Sequence, residues 1–429
     1  MKEATNIAVW FLVTISTFFT PAIYAQGSSE IKKEFDQILN PLISERRLPG
    51  YYFAVFKDGK KEFEQSRGFA DEQNRMAPSG RILYSIEAMT EPLTAAALMV
   101  LVEQKKIKLN DPLARYLPEF KTMKVAKNGS LSGELDNASR PIMIKDLIAH
   151  QSGFTQAKRY ASNMTDVQNA YRSLGLFRKN SSLKTLAEHV AALAELPLVN
   201  HPGTQVTASI SYDVLARVAE VVSRKAFSEF LSETVLKPLA MTDTHFVVPK
   251  SKVDRVAAMY EPVVWGYNVP GTPKMYRRSI RTTESADPGS RSYSTYIGGS
   301  SGLMSTGDDY AKFLAYLMGS VGNVKISLSP ESRRIIIESL MRADKRSSPS
   351  DGGITSQASL GSTVEEPLES VDFEETDSYV YLNGRFNTSF WIDSKTQISG
   401  LFMTQLSPSR FNLVPVLKDA ANRNFTKNL

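Results

Sequence analysis

Residues 84–120 read YSIEAMTEPLTAAALMVLVEQKKIKLNDPLARYLPEF. Between residues 92 and 104 nearly every side chain is apolar, and this pattern predicts a helix that is buried on most of its sides. Proline is tolerated in the first turn of a helix, so Pro92 is compatible with this prediction. We therefore expect the helix to run through the middle of the fold.

Sequence patterns on either side of this segment predict one sheet. Apolar spacing over residues 30–47 predicts a helix. Residues 51–57 and 61–68 predict strands of a hairpin, because Asp58-Gly59 between them is a strong turn signal. Residues 379–382, 389–392 and 400–405 have the composition of further strands. The sequence thus predicts an α+β fold, with an antiparallel sheet formed by both chain ends and flanked by helices. We assign residues of about 26–110 and 290–429 to this α/β part, and about 111–289 to an inserted, mainly helical subdomain.

The first 25 residues differ from the rest. Lys2 precedes an apolar run over residues 7–19, and Ala25 is a small residue at a suitable cleavage point. This is the pattern of a secretory signal peptide, and it predicts a mature chain of residues 26–429 in the periplasm or outside the cell. The alternative is an uncleaved leader, and only in that case do we expect membrane association. The run is shorter than the roughly 20 residues that a spanning helix needs.

Composition excludes several classes of function. The chain has 51 Lys+Arg, 45 Asp+Glu, four His and no Cys, so thiol chemistry and Cys-ligated metals are excluded. The charge forms no basic block, and we expect no nucleic-acid partner. Without a phosphate loop, a dinucleotide fingerprint or metal-ligand spacing, we expect neither a cofactor nor a metal site.

Several blocks of the chain carry a resemblance to a known family. They are, in order, residues 84–120 (quoted above), 146–153 (DLIAHQSG), 201–204 (HPGT), 212–223 (YDVLARVAEVVS), 238–244 (PLAMTDT), 298–306 (GGSSGLMST) and the segment 390–405. In this order they resemble the serine β-lactamase family, in particular its class C β-lactamase, esterase and D-aminopeptidase branch. The resemblance implies a β-lactamase/transpeptidase-like fold.

The residues at the family's first motif do not fit its chemistry. That family acylates the serine of a Ser-x-x-Lys motif, whose lysine lies one helical turn further on. By register the serine position is Ala88 and the lysine position is Glu91. The first has no nucleophile, and the second reverses the charge.

The other two motifs have also changed. The family's second motif carries a tyrosine that assists proton transfer, and its place falls on Ala208. The third motif, which usually begins with Lys, His or Trp and ends in Gly, reads Leu382-Asn383-Gly384 and keeps only the glycine. Ser85, Ser209 and Ser211 lie near these positions, but no base accompanies them in sequence. Ordinary β-lactamase or serine-esterase activity is therefore not expected.

Two functions remain open. The first is a pseudoenzyme that binds a small molecule or a partner in the former active-site cleft. The second is an enzyme with new chemistry, such as proton transfer, isomerisation, cyclisation or carboxylate-assisted hydrolysis. Its catalytic groups would be Glu91 and possibly Glu87, which share a face if one helix includes both. A structural alternative pairs Glu91 with Arg385.

Other residues are candidates for lining the cleft or supporting it. By the resemblance, Tyr260, Trp265 and Tyr267 fall in the region that borders the substrate cleft, and Arg385 follows the third motif. These residues could contact a small-molecule ligand, although aromatic residues in a loop also serve as cover for a core. His150 is expected to support its own turn through hydrogen bonds.

Overall fold

The computed structural model describes residues 20–156, 164–174, 185–262, 276–278, 297–344 except 322, 323, 325 and 327, 379–407 except 385, and 412–426. Within these ranges the α-helices are α1 (Thr20–Ser44), α2 (Thr90–Glu103), α3 (Ile144–Ile148), α4 (Asp166–Ser173), α5 (Leu186–Ala194), α6 (Ser211–Ser223), α7 (Phe227–Leu231), α8 (Gly307–Leu317), α9 (Pro330–Asp344) and α10 (Val414–Phe425). Short 3-10 turns include Glu87–Met89, which directly precedes α2.

The strands form one main sheet and three small pairs. They are β1 (Gly50–Lys57), β2 (Lys60–Gly68), β3 (Tyr84–Ser85), β4 (Lys124–Ala126), β5 (Leu135–Asn137), β6 (Tyr260–Pro262), β7 (Tyr276–Arg278), β8 (Met304–Ser305), β9 (Tyr379–Asn383), β10 (Ser389–Asp393) and β11 (Ile398–Met403). The five-stranded sheet has the order β2-β1-β11-β10-β9, and its neighbouring strands are antiparallel. This confirms the prediction of one antiparallel sheet built from both chain ends.

The hairpin between β1 and β2 forms where the sequence predicts it. Asp58 and Gly59 both have positive φ, at 50° and 73°. Positive φ at both central residues is the requirement of the tight turn that matches the twist of a hairpin. The predicted strand bounds differ from the observed ones by one residue at the start of each strand.

Both faces of the main sheet are covered. Along β1, Tyr52 and Ala54 belong to the larger hydrophobic core, whereas Tyr51 and Phe53 belong to a second core. The side chains of a strand alternate between its two faces, so these cores lie on opposite sides of the sheet. Helices α1 and α10 pack on the side of the second core, and α8 and α9 contact the sheet at β11 and β9.

Helix α2 lies in the larger core, as its apolar composition predicts. Every residue from Thr90 to Met99 is buried, and the helix contacts α6, α7 and α9. The 3-10 turn that leads into α2 contacts β9, so the start of this buried helix is fixed relative to the main sheet.

Some predicted bounds were wrong, and other predictions stay untested. Helix α1 begins at Thr20 and ends at Ser44, rather than spanning 30–47, and β11 begins at Ile398 and ends at Met403, rather than spanning 400–405. Residues 1–19 lie outside the described residues, so the leader remains a prediction, as does the division into an α/β part and a helical subdomain. Among the helices that the structure describes, none combines the length and apolar character needed to cross a membrane.

Candidate functional site

The turn that carries Ala88 is held on both sides. Before it, the amide of Ile86 donates to the carbonyl of Leu303 at 3.0 Å. Behind it, the hydroxyl of Tyr310 donates to the carbonyl of Met89 at 2.9 Å. Burial and the charge of Glu91 raise the pKa of Tyr310 well above its usual value, so this hydroxyl stays protonated and can donate. The residue at the family's serine position therefore lies on a well-anchored backbone.

Glu87 does not lie on the same helix as Glu91. Glu87 is in the 3-10 turn with φ at +45°, and α2 begins at Thr90. One helix that includes both carboxylates was the condition under which they would share a helical face, and this condition is not met. A positive φ at a residue other than glycine costs about 1–3 kcal/mol and persists only where the surroundings enforce it.

The carboxylate of Glu91 contacts a histidine. Glu91 is 5% exposed, and its Oε2 lies 3.3 Å from Nε2 of His150, which is 1% exposed. The predicted alternative partner, Arg385, lies outside the described residues, so that pairing stays untested. The sequence suggested no contact between Glu91 and His150, because the two residues are far apart in the chain and only the fold brings them together.

From His150 a row of hydrogen bonds leads into the second-motif segment. His150 Nδ1 lies 3.2 Å from Oγ of Ser209, which lies 2.7 Å from Oγ of Ser211. The hydroxyl of Ser211 is in turn 2.8 Å from that of Ser152. We call Glu91, His150, Ser209, Ser211 and Ser152 together the polar clamp. It links the start of α2 to the turn after α3 and to the segment at the start of α6.

The polar clamp contains the sequence acid, imidazole, hydroxyl, which is the arrangement of a nucleophilic triad. Ser209 has no base near it in sequence, yet in the folded protein His150 is within hydrogen-bonding distance of it. Ser209 is only 3% exposed, however, whereas the neighbouring Ala208 is partly exposed. The backbone therefore turns the side chain of Ser209 towards the interior, and the triad-like array faces the core.

The third motif lies against the first. A Cβ atom added to Gly384 would lie 2.4 Å from Oγ1 of Thr388 and 3.0 Å from the carbonyl oxygen of Ile86. This close approach explains why a glycine is needed here. Leu382 is buried at the end of β9, and Asn383 is exposed, with its amide donating to Asn412 at 3.3 Å. The structure thus brings the first and third motifs together.

The aromatic residues proposed to line the cleft are only partly described. Tyr260 is 2% exposed and belongs to the second core, and its hydroxyl accepts a 2.7 Å hydrogen bond from the amide of Glu72. This position matches the alternative interpretation, in which Tyr260 covers the core. Trp265 and Tyr267 lie outside the described residues, so their roles stay predictions.

No group of three or more His, Asp or Glu side chains placed to hold a metal ion occurs in the part of the chain that the structure describes.

The buried histidine of α5, His189, has a different environment from His150. Burial lowers the pKa of His189 to about 4, so it is neutral at physiological pH.

Comparisons with known proteins agree with the predicted fold. An uncharacterized protein of Mycobacterium tuberculosis is 35% identical over 272 residues, which are 61% of this chain and 59% of that protein. The chain thus spans less than two thirds of this relative's length. The esterase EstB of Burkholderia gladioli is 26% identical over 326 residues, covering 73% of this chain and 77% of the esterase.

Solved structures share the fold. The protein EstCE1, described as a hydrolase with promiscuous acyltransferase activity, superposes with a TM-score of 0.67 at 21% identity, covering 93% of this chain and 99% of EstCE1. The family model described as Beta-lactamase matches residues 35–421. The chain therefore belongs to the beta-lactamase family.

Proposed function

We propose that this protein is an exported pseudoenzyme of its family, which binds a small molecule in the former active-site cleft and does not acylate itself. The observation that carries this proposal is the state of the first motif. Ala88 offers no hydroxyl on its anchored turn, and Glu91 at the lysine position is buried against His150. Neither residue can act as the nucleophile or ammonium group of an acyl-serine reaction.

The burial of the nearby serines supports the same proposal. Ser85 and Ser211 are fully buried and Ser209 is 3% exposed, so none of these hydroxyls offers an accessible replacement for the missing nucleophile. The related esterase and the structurally similar hydrolase are named for acyl chemistry, which this chain would have lost. The alternative function, with Glu91 as a catalytic base, is less well supported, because an oxygen of this carboxylate contacts His150 inside the protein.

Turnover assays test this proposal. The purified mature chain is incubated with nitrocefin and with p-nitrophenyl acetate, and hydrolysis is compared with that of Glu91→Gln. We expect no enzyme-dependent hydrolysis of either substrate. Turnover that Glu91→Gln abolishes would overturn the proposal in favour of carboxylate chemistry, and turnover that survives this change would overturn it in favour of a displaced nucleophile.

Export is a separate part of the proposal. The chain is expressed with its leader in a bacterial host, and the mass of the protein recovered from the periplasm is measured. A mature protein that begins at Gln26 is the expected result. Recovery of the full-length chain from the membrane fraction would contradict it and would support an uncleaved leader.

A further inference from the structure

The polar clamp joins three segments that lie far apart in the chain. Glu91 is on the first turn of α2, His150 and Ser152 follow α3, and Ser209 and Ser211 lie at the start of α6. Its side chains are all at most 5% exposed. Burying polar groups is costly unless they find partners. Here the three serine hydroxyls and Nδ1 of His150 are hydrogen-bonded, and Glu91 lies in contact with Nε2 of His150. Such buried networks rigidify a fold when they are satisfied.

The backbone around His150 is also held in an unusual conformation. The φ of His150 is +53°, and its carbonyl accepts a 2.9 Å hydrogen bond from the amide of Thr207. The next residue, Gln151, accepts through its carbonyl from the amide of Gly203 at 2.7 Å. The turn after α3 thus holds the second-motif segment by its backbone, while the side chain of His150 reaches α2. Among the members of the polar clamp, His150 is the one that contacts both Glu91 on α2 and Ser209 in the second-motif segment.

We propose that the polar clamp is a conformational device that fixes the first-motif helix to the second-motif segment, with Glu91 acting as a positioning residue through His150. This inference rests on the proposed function, because it assigns Glu91 a part in holding the cleft in shape for a ligand that is not acylated. The charge reversal at the lysine position then has a structural purpose. A carboxylate accepts a hydrogen bond from an imidazole, whereas the ammonium group of lysine can only donate.

Two tyrosines on neighbouring helices lie beside the pair. The ring of Tyr212 on α6 lies 4.9 Å from the imidazole of His150, centroid to centroid. Tyr310 on α8 lies close enough to Glu91 for the charge of this carboxylate to contribute to the raised pKa of the phenol. Both tyrosines use their hydroxyls elsewhere, since Tyr212 donates to the carbonyl of Ile148 and Tyr310 to that of Met89.

A double-mutant cycle tests the coupling between Glu91 and His150. The variants are Glu91→Leu, which leaves no acceptor for the imidazole, His150→Asn and the two combined. Asparagine tolerates the positive φ at this position but is too short to replace the imidazole on both sides. We expect each single variant to lower the melting temperature by about 5 °C or more, because breaking a buried pair is strongly destabilising. The double variant should be little worse than the worse single one.

His201→Asn is the matched control, because His201 lies in the same second-motif block and its Nδ1 accepts from the amide of Ser139 rather than contacting α2. The loss of stability in His201→Asn should add to that in Glu91→Leu. Additive effects in the Glu91/His150 cycle would overturn the proposal. This failure is distinct from failure of the proposed function, which shows as turnover in unaltered protein.

Hydrogen exchange separates coupling from general loss of stability. In Glu91→Leu we expect exchange of the Thr207 amide, on the far side of His150, to be accelerated at least tenfold more than exchange of the β1 amides. Equal acceleration of both sets would indicate only global destabilisation and would overturn the proposal.

Discussion

The Oε2 atom of Glu91 lies 3.3 Å from Nε2 of His150, and residue 91 is the position that the sequence register predicts for the family's lysine. In this register, a buried acid–imidazole pair lies where the motif would have an ammonium group. The pair gives Glu91 a structural role in a motif that lacks a nucleophile. It also explains how an acidic side chain is accommodated in the middle of the larger core.

Gly384→Ala should disturb the contact between the third and first motifs. The new Cβ would lie 2.4 Å from Oγ1 of Thr388 and 3.0 Å from the carbonyl oxygen of Ile86. We expect the free energy of unfolding to fall by about 1–3 kcal/mol, as for other overpacked sites. Urea denaturation measures this change. Gly133→Ala is the control, because a Cβ there has no atom within 4 Å, and unchanged stability in both variants would contradict the predicted contact.

Gly400→Ala should be more damaging, because it acts inside the main sheet. Gly400 is paired with Trp391 across β10 and β11, and an added Cβ would lie 2.0 Å from the indole ring. A rigid ring in a packed core cannot yield by that much, so we expect a loss of roughly 3 kcal/mol or more. Thermal unfolding followed by tryptophan fluorescence reports the effect. A variant as stable as the natural chain would show that Trp391 does not pack on this glycine.

The stability of the protein should fall between about pH 6.5 and pH 4 through His189. Burial lowers the pKa of this histidine to about 4, whereas an exposed histidine titrates near 6.5. In this window the unfolded chain binds a proton that the folded chain does not, so stability decreases as the pH falls, by up to about 3 kcal/mol.

His189→Gln should remove this part of the pH dependence, because glutamine does not titrate. Urea denaturation at pH 8 and at pH 4.5 measures how much the free energy of unfolding falls between these pH values in each chain. If the two chains lose the same free energy between these pH values, His189 is not responsible.

Introducing the family's three motif residues tests whether positions 88, 91 and 208 correspond to its serine, lysine and tyrosine positions. In the variant Ala88→Ser/Glu91→Lys/Ala208→Tyr, the anchored turn should present a serine that a fluorophosphonate modifies. The variant Ala88→Ser alone, which lacks the amine and the phenol, should be modified at least tenfold more slowly. A folded triple variant that stays unmodified would show that these positions do not correspond to the family's machinery.

The sheet and α2 could be predicted because local patterns determine them. Asp58-Gly59 demands a hairpin turn, and the apolar run after Pro92 can only be a buried segment. The residue at which α2 begins was harder to predict from the sequence, because Glu87 adopts a positive φ that its residue type does not favour. The turn is anchored by Leu303 and Tyr310, which are distant in sequence, so local patterns do not reveal its shape.

The polar clamp could not be predicted for a related reason. Ser209 was judged by the bases near it in sequence, whereas its partner His150 comes from the turn after α3. The alternation of Ala208 and Ser209 between a partly exposed and a buried position depends on the backbone of the folded segment. Contacts between distant segments are set by tertiary packing, on which a single sequence carries little information.

Peptide mapping of the unaltered mature protein after exposure to a fluorophosphonate tests the central claim most directly. The protein should gain no phosphonyl group on any serine, and in particular none on Ser85, Ser209 or Ser211. Stoichiometric modification of one of these residues in the folded protein would contradict the account, because it would show an activated nucleophile in a cleft that we propose only binds.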